Sequence, residues 1–570
     1  MTYQGTTPAG ESPLADTSWA VRHRYAVILL VGLVVFVGFL GARDLWYPDE
    51  PDIGQVTKAM YESGDWVVPR RNGEVWIDYP PLLYWGGSVF SHAFGGMTSF
   101  SLRLSSALAA ILLALATCAA ASRLFSPRAG LWAGVLLATF VQFVYSAVGF
   151  RPDMLFAAAI GCGTFLYATG AGDRPRWGYR VAGFACFGVA ILAKGPLGIL
   201  LPGLVLTLWH LSRKEWRRVL ELAPLGLVAV AVASPWYVVL GNAMGWEQMW
   251  HDIYAQNFER FDEGIRYQGH IRPVHYYLVN IWADLAPWSV LLPFAIAWIV
   301  KRGLWKRREV QLALWWGGTW LVFLTWAATK RQLYLLPAYP AYALLLAPYV
   351  TALGRETEGP EPAPARALTG ALVVLMLVAG AACLAAAAGM DVLVERISWK
   401  FPVDADVFRS LRGPLVVVGA VLVGLGAWVG RTRLAGDLAR ALLQSAMAVV
   451  AIWILALGLI LPAFDPARDY KEPSTWIRSQ IGAEDELGIY YPERGRNKMG
   501  AFTYHSGALV SLLWSETDVE AFFREFPNSL VLVHESAIEQ MFASETTDWR
   551  SRVRREIVAG RKRYVAIGGS

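Results

Sequence analysis

Residues 25–52 read YAVILLVGLVVFVGFLGARDLWYPDEPD, and this stretch decides the architecture. From Tyr25 to Gly41 no charge interrupts an apolar run, and Asp49-Glu50-Pro51-Asp52 follows almost at once. A helix that crosses a hydrocarbon layer of about 30 Å needs roughly 20 mostly apolar residues, because each residue rises about 1.5 Å. The run therefore predicts a spanning helix that delivers a group of carboxylates to the mouth of a membrane. Trp46 and Tyr47, just before the acids, have the character of an interfacial aromatic belt.

Outward from that stretch the same apolar signal recurs. Runs of this kind lie at 25–41, 101–121, 129–149, 152–169, 180–194, 196–210, 219–240, 276–300, 311–328, 333–352, 366–389, 412–430 and 441–461. The 570-residue chain is 55% hydrophobic and only 17% charged, with a mean hydropathy of +0.38. Soluble domains carry about 25% charged residues, so a soluble enzyme and a disordered or fibrous chain are both excluded. The formal charge of +6 is expected as cytoplasmic anchoring, not a nucleic-acid footprint. Cys118, Cys162, Cys186 and Cys383 all fall inside apolar runs, which predicts small buried hydrophobes without a disulfide framework. The polar leader 1–24 predicts a cytoplasmic start without a cleavable signal.

Basic clusters set the topology. They occur at Arg22/Arg24, Arg123/Arg128, Arg174/Arg176/Arg180, Arg213–Arg218, Lys301–Arg308, Arg355/Arg366 and Arg431–Arg440. Placing all of them inside puts 42–100, 242–275, 390–411 and everything after 461 outside. The scheme closes with about 13 transmembrane helices if the short, glycine-rich stretch 82–97 does not cross, or if one of the other runs fails to cross. The predicted organisation is a leader at 1–24, a membrane domain at 25–461 with external loops 42–100 and 242–275, and an external domain at 462–570. Asp52–Glu62 reads as a short interfacial helix. In the tail, strand-like runs at Leu487–Tyr491, Leu530–His534 and Tyr564–Ile567 alternate with helix-compatible stretches around Glu516–Phe526 and Ala537–Phe542, which predicts a small α/β domain. It carries no phosphate-binding glycine motif and reads as a support, lid or acceptor-docking domain.

The chemistry concentrates on the external side. Asp78-Tyr79-Pro80-Pro81 closes the first loop as Asp49-Glu50 opens it, and the double proline stiffens the backbone that holds Asp78. Cations complement the acids: Arg151 beside Asp153, Lys194 within an apolar segment, Arg260 after Asn257 with His270 downstream, and Lys330-Arg331 followed by Tyr334. Carboxylates beside several external cations suit a phosphate-bearing substrate and a hydroxyl nucleophile, the cations neutralising the leaving phosphate and a carboxylate taking the proton. A transporter of lipid-linked sugars and a non-catalytic assembly protein remain as alternatives. Against the first, no two-half repeat is evident; against the second, the charge cluster has no purpose.

The same residues carry a family resemblance. The segments are Tyr47-Pro48-Asp49-Glu50, Glu62-Ser63-Gly64-Asp65-Trp66-Val67-Val68-Pro69, Asn72-Gly73, Asp78-Tyr79-Pro80-Pro81-Leu82-Leu83-Tyr84-Trp85, Arg151-Pro152-Asp153, Ala193-Lys194-Gly195-Pro196, Asn257-Phe258-Glu259-Arg260-Phe261 and Lys330 to Pro337. In them the chain resembles bacterial integral-membrane glycosyltransferases of GT-C type related to the lipid A aminoarabinose transferase, which share their architecture with the protein O-mannosyltransferases. The resemblance implies inverting transfer of a sugar from a polyprenyl-phosphate carrier, such as undecaprenyl phosphate, to an envelope acceptor such as lipid A, another glycan or a protein hydroxyl. That transfer would occur on the external face of the bacterial cytoplasmic membrane.

It implies Asp49 as the catalytic aspartate, Asp78 as a second acid, and Arg260 and Lys330 as phosphate contacts; Arg331, next to Lys330, is expected to join them. Glu50, Tyr79, Arg151, Asp153, Lys194, Asn257, His270 and Tyr334 are the expected supporting or substrate-contacting residues. Asp49 and Asp78 are the candidate oxygen ligands for a divalent cation, and a monomer is expected. Three departures stand out: Pro51-Asp52-Ile53 where the family often has Thr-Arg-Tyr, Asp78-Tyr79 where the aminoarabinose branch carries Glu-Lys, and Gln256 where that branch often has His. The fold and reaction class carry over further than the identity of the sugar.

Overall fold

The structure is a computed structural model that describes residues 18–172, 174–255, 271–353, 363–397, 405–490, 499–543, 547–560 and 562–569. The chain packs as two compact units, one of Met1–Gly38, Ser105–Met376 and Gly424–Trp453, the other of Phe39–Leu104, Leu377–Val423 and Ile454–Ser570.

Each of the thirteen apolar runs coincides with a helix or with a bent pair of helices. Seven helices are long and apolar enough to cross a membrane, Ser99–Leu124, Pro152–Gly170, Trp216–Met244, Gln332–Leu353, Ala363–Ala388, Phe408–Leu434 and Leu438–Ala463. Two bent pairs raise the number to nine among the described residues, Pro127–Thr139 with Val141–Ala147 (68°) and Tyr276–Asp284 with Trp288–Lys301 (112°). The remaining runs correspond to Arg24–Gly32 continued by a π-turn at Leu33–Val37, and to Trp177–Lys194, Leu197–Ser212 and Arg308–Trp326. These four are too short or too polar to meet that standard, so thirteen crossings go beyond what length and composition establish. The glycine-rich stretch forms Leu82–Ala93, at 12 residues too short for a crossing.

Within the first unit, helices close on one another through small residues, as expected where lipid offers no hydrophobic drive between helices. A Cβ placed on Gly183 would lie 2.7 Å from the carbonyl oxygen of Gly163, so Pro152–Gly170 and Trp177–Lys194 meet backbone to backbone. The turns assigned to one side by charge are also tied together physically. Arg308 pairs with Glu215 and donates to Ala171 O at 3.0 Å, while Glu215 accepts from His210 Nδ1 at 2.7 Å and His210 Nε2 meets Tyr167 Oη at 2.8 Å.

The second unit contains a five-stranded sheet built from β3 (Leu487–Tyr490), β4 (Val510–Leu513), β5 (Leu530–His534), β6 (Val553–Ala559) and β7 (Lys562–Gly568), in the order β4-β3-β5-β7-β6. β4, β3 and β5 run parallel, and β7 is antiparallel to both β5 and β6. Alternation along β5 divides the core: Leu530 and Leu532 pack with Ile477 and Phe502 on one face, Val531 and Val533 with Phe522 and Trp549 on the other. The sheet is covered on both faces, which is why its parallel strands read as continuous apolar runs. Two strands, β4 and β6, and the helices Lys471–Gln480 and Met499–Ser506 extend what the sequence alone predicted for the tail.

The segment 42–100 is folded onto this tail. Its hairpin of β1 (Arg70–Arg71) and β2 (Glu74–Val75) turns at Asn72-Gly73, with φ of 51° and 83°. Two central residues at positive φ make the tight turn that matches strand twist, and Asn-Gly is the pair that adopts it most readily. The half-buried Asn72 amide then pairs with the edge of β4: Nδ2 donates to Val510 O at 2.9 Å, and Val510 N donates to Oδ1 at 2.8 Å. A second dock is helix on helix. Gly500 lies so close to Asp49–Ser63 that a Cβ there would fall 1.7 Å from Asp52 Oδ1, and Lys58 Nζ donates to Tyr504 O at 3.0 Å.

Candidate functional site

The helix Asp49–Ser63 begins with Asp49, Glu50 and Asp52 in its first turn, where the positive end of the helix dipole favours carboxylates. The three acids then diverge in role. Glu50 turns inward and is 3% exposed. It accepts from Arg103 Nε at 2.8 Å and Nη2 at 2.8 Å, from Arg43 Nη1 at 2.7 Å, and from Trp46 N at 3.0 Å. Arg103, itself fully buried, spends its other N–H groups on Leu40 O at 2.7 Å, Arg43 O at 2.9 Å and Asp44 O at 2.7 Å. All five guanidinium donors therefore have acceptors. Burial alone would raise the Glu50 pKa, but the charges and hydrogen bonds of Arg103 and Arg43 outweigh it and hold the carboxyl well below its usual range. Glu50 is the pin that fixes residues 40–46 to the start of the acid-bearing helix.

Asp49 and Asp52 stand on that pinned turn, half-buried, and Asp78 joins them from the far end of the loop. Asp52 accepts from Arg71 Nη2 at 3.3 Å and from Gln55 Nε2 at 3.4 Å. Burial pushes the Asp52 carboxyl up to about 6; Arg71 opposes the shift, and the negative charges of Asp49 and Asp78 add to it. Asp49 and Asp78 therefore both act on Asp52 through one electrostatic field. Arg71 also lies over Trp76 at 4.7 Å, and its charge and that of Asp78 both act on the buried Tyr84 hydroxyl.

Because the folded protein holds the Asp52 proton more tightly than an unfolded chain, that proton stabilises the fold below pH 4. The contribution is lost as pH rises to about 6. The melting temperature of the purified protein is therefore expected to fall across this window relative to Asp52→Asn, with the two coinciding near pH 4 and the variant more stable at pH 7. Parallel curves would remove Asp52 from the cluster's electrostatics.

The segments around the acids are largely structural. Gly64 ends the helix at φ 71°, and Asp65 Oδ1 caps the next turn by accepting from Val67 N at 3.0 Å and Val68 N at 3.1 Å. Trp66 O accepts from Trp85 Nε1 at 2.8 Å, which ties this turn to Leu82–Ala93. Tyr79 is half-buried beside Asp78.

The first unit collects a second group. Arg151 caps Pro152–Gly170 in extended conformation and lies over Tyr145 at 5.3 Å. Asp153, buried in that first turn, forms an ion pair with Lys194, whose ammonium sits 4.4 Å from the ring of Tyr334. The lysine within an apolar stretch is thus paired with a carboxylate. Lys330 is 3% exposed and donates to Arg272 O at 3.2 Å and to Ala327 O. Arg331 offers its carbonyl to Tyr277 Oη at 3.0 Å. Asn257, Arg260 and His270 lie outside the described residues, as does Gln256. No three carboxylate, histidine or cysteine side chains among the described residues are grouped so as to hold a metal ion.

Sequence reasoning passed over Asp52 as a site residue and missed Arg71, Tyr84 and Arg103. Arg71 supplies a cation at the acids although position 79 is Tyr; its only sequence signal is a basic pair ahead of a hairpin turn.

Comparison with known proteins follows the same lines. A family model described as dolichyl-phosphate-mannose-protein mannosyltransferase matches residues 78–238. An undecaprenyl phosphate-alpha-4-amino-4-deoxy-L-arabinose arabinosyl transferase of Sodalis glossinidius is 33% identical over 329 residues, 55% of this chain and 57% of that protein. Its counterpart in Enterobacter is 30% identical over 344 residues, 58% and 60% of the two chains. The chain thus spans a little over half the length of the curated relatives it matches. The crystal structure of apo ArnT from Cupriavidus metallidurans superposes with a TM-score of 0.75 at 20% identity, over 97% of this chain and 98% of that one. The same enzyme bound to undecaprenyl phosphate gives 0.73 at 20% identity over 95% and 97%. The chain is a multi-pass membrane protein with the GT-C fold, related to the aminoarabinose transferases and the O-mannosyltransferases.

Proposed function

We propose that this GT-C protein is an inverting glycosyltransferase that moves a sugar from a polyprenyl-phosphate carrier to an envelope acceptor, on the external face of the cytoplasmic membrane. The observation that carries the reading is the group Asp49, Asp52 and Asp78, gathered on one loop around Arg71 and held there by the Glu50–Arg103 pin. The naming of the relatives supports the donor class, and lipid A is the acceptor that the sequence resemblance implies.

The reaction is a single displacement. The acceptor oxygen bonds to the anomeric carbon as the bond from that carbon to the phosphate oxygen breaks, and the phosphate leaves with the electron pair. Asp49, on the pinned first turn, orients the acceptor hydroxyl and takes its proton. Asp78 positions the acceptor, and Asp52, protonated below about pH 6, tempers the repulsion among the acids. Polyprenyl phosphate is a far better leaving group than a sugar alkoxide, so no strong general acid is required. Arg331 and Lys330 are assigned to the phosphate, as is Arg260. Two of the Lys330 N–H groups already hold backbone carbonyls, so its contribution is mainly fixed positive charge. Lys194, neutralised by Asp153, orders the turn that carries Tyr334.

A second acceptor reading, a protein hydroxyl, draws on the family model that spans residues 78–238. One comparison separates the two. Lipids and envelope proteins from cells with and without the gene are analysed by mass spectrometry. Accumulation of a polyprenyl-phosphate sugar is expected, together with loss of the same sugar mass from a lipid or glycan. Loss from proteins instead would select the second acceptor, and unchanged donor and acceptor pools would overturn the transferase reading.

A further inference from the structure

In the first unit the helix Tyr276–Asp284 is amphipathic in the inverted sense. Leu278, Val279 and Trp282 are 54%, 61% and 49% exposed, while Tyr277 and Asp284 are buried and Asn280 is half-buried. The inward residues follow one another at spacings of three and four, which places them on one face of a helix. An apolar exterior suits a helix surrounded by lipid. An amide and a carboxyl turned into the bundle cost free energy unless their polar atoms are put to use.

The contacts of that face all go to one segment, and in register. Tyr277 Oη donates to Arg331 O at 3.0 Å, Asn280 Oδ1 accepts from Gln332 Nε2 at 2.9 Å, and Asp284 faces the buried Tyr339 hydroxyl. Asn280 is fixed at its other end as well, with Nδ2 donating to Tyr276 O at 2.7 Å. The pairing begins ahead of the helix, where Ile271 and Thr329 form an antiparallel bridge and Lys330 Nζ donates to Arg272 O at 3.2 Å. From another side, the Lys194 ammonium meets the Tyr334 ring at 4.4 Å.

The gripped segment needs such support. Gln332–Ala338 is a 3-10 helix of seven residues, and the strained hydrogen bonds of that form seldom sustain more than about four. Its place is therefore set by what holds it from outside. We propose that Tyr277 and Asn280 are positioning residues for the phosphate of the lipid carrier: they fix the backbone at Arg331 and Gln332, and with it the points from which Arg331 and Tyr334 reach that phosphate. The identity of the anion rests on the transferase reading. The positioning does not depend on what else the Arg331 side chain touches, because the ties hold its carbonyl and its neighbour. Guanidinium–phosphate bonds are directional, so a displacement of about 1 Å weakens them.

The test compares two probes, undecaprenyl phosphate and undecaprenol, binding to the full-length protein in lipid nanodiscs. They share a tail and differ in the phosphate, so the ratio of their Kd values isolates the phosphate contribution. Asn280→Leu is expected to lower the phosphate preference about tenfold, the weight of one hydrogen bond to a charged group, and to leave undecaprenol binding unchanged. Gln332→Met breaks the same bond from the other side and should act alike, and the two together should cost no more than either. The exchange Asn280→Gln/Gln332→Asn, which can rebuild the bond, should recover most of the preference. In an Arg331→Gln background, Asn280→Leu should add little.

Weaker binding of both probes alike would reduce Asn280 to a general structural role and overturn the proposal. So would a phosphate preference untouched by both Asn280→Leu and Gln332→Met, or a parent that binds the two probes equally. A parent that prefers the phosphate and responds to these variants, yet changes no donor or acceptor pool in cells, would sink the transferase reading and leave the positioning role standing.

Discussion

Asp49→Asn is expected to lower sugar transfer by about 10² to 10⁴-fold, the usual weight of a positioned general base, without loss of folding. The substitution is nearly isosteric and falls on a half-buried side chain, so it leaves the Glu50 pin intact. It also removes one of the two negative charges that raise Asp52, so the Asp52 carboxyl should shift back toward its ordinary value. The measurement is single-turnover transfer in proteoliposomes with a matched donor and acceptor, with donor affinity followed separately. A rate loss with unchanged donor affinity fits a group acting on the acceptor in the transition state. A full rate in correctly folded Asp49→Asn would move the base to Asp78, and Asp78→Asn would then carry the larger loss. Rate losses of similar size in both variants, with no further loss in the double variant, would mean that the two carboxylates act as one unit.

How far the sequence was legible depended on whether a signal was local. The spanning runs were readable because hydropathy needs no partner, and each run became a helix. Leu487–Tyr490 and Leu530–His534 were visible because strands buried on both faces are uniformly apolar. β6 was not, since five of its seven residues are solvent-exposed and its pairing with β7 contains a register shift. β4 is short and stops at the exposed Trp514. In the acid cluster, Asp49 and Asp78 announced themselves by proline-stiffened turns. Asp52 did not, because its role depends on charges arriving from residues 71 and 78.

Arg103 was the least legible of all. It lies 53 positions from Glu50, and in sequence it is a lone cation at the edge of an apolar helix, which reads as interfacial anchoring. Asn72 illustrates the opposite case. Its turn propensity was plain, but its reach to the edge of β4 required a strand 438 residues further on.

Arg103→Leu is expected to destabilise the protein by about 3–5 kcal/mol, the cost of stripping one partner from a buried ion pair. Leucine fills part of the space, but Glu50 would then face burial with Arg43 as its remaining cation, the carbonyls of Leu40 and Arg43 would lose the donor that Arg103 supplies, and Asp44 O would keep only the bond from Arg43 Nη1 at 3.1 Å. Arg103→Lys keeps the charge but cannot reproduce a fork that serves Glu50 and three carbonyls at once, so it should fall between the two. The Arg103→Leu/Glu50→Leu double variant removes both charges and should recover part of the loss. Full recovery is not expected, since the carbonyls of Leu40 and Arg43 stay without the Arg103 donor at a cost of about 1–3 kcal/mol each.

A double-mutant cycle on melting temperature in detergent reads the coupling directly. The pH dependence gives an independent check. With its pKa depressed, Glu50 stabilises the fold above the ordinary carboxylate range near 4.5 and loses that contribution as pH falls. In Arg103→Leu, burial is opposed by Arg43 alone, so acid should destabilise the variant less steeply than the parent. If Arg103→Leu melts like the parent, with the same acid sensitivity, then the turn that carries Asp49 is held by something other than this pin. In that case the losses of transfer rate and of stability should separate cleanly.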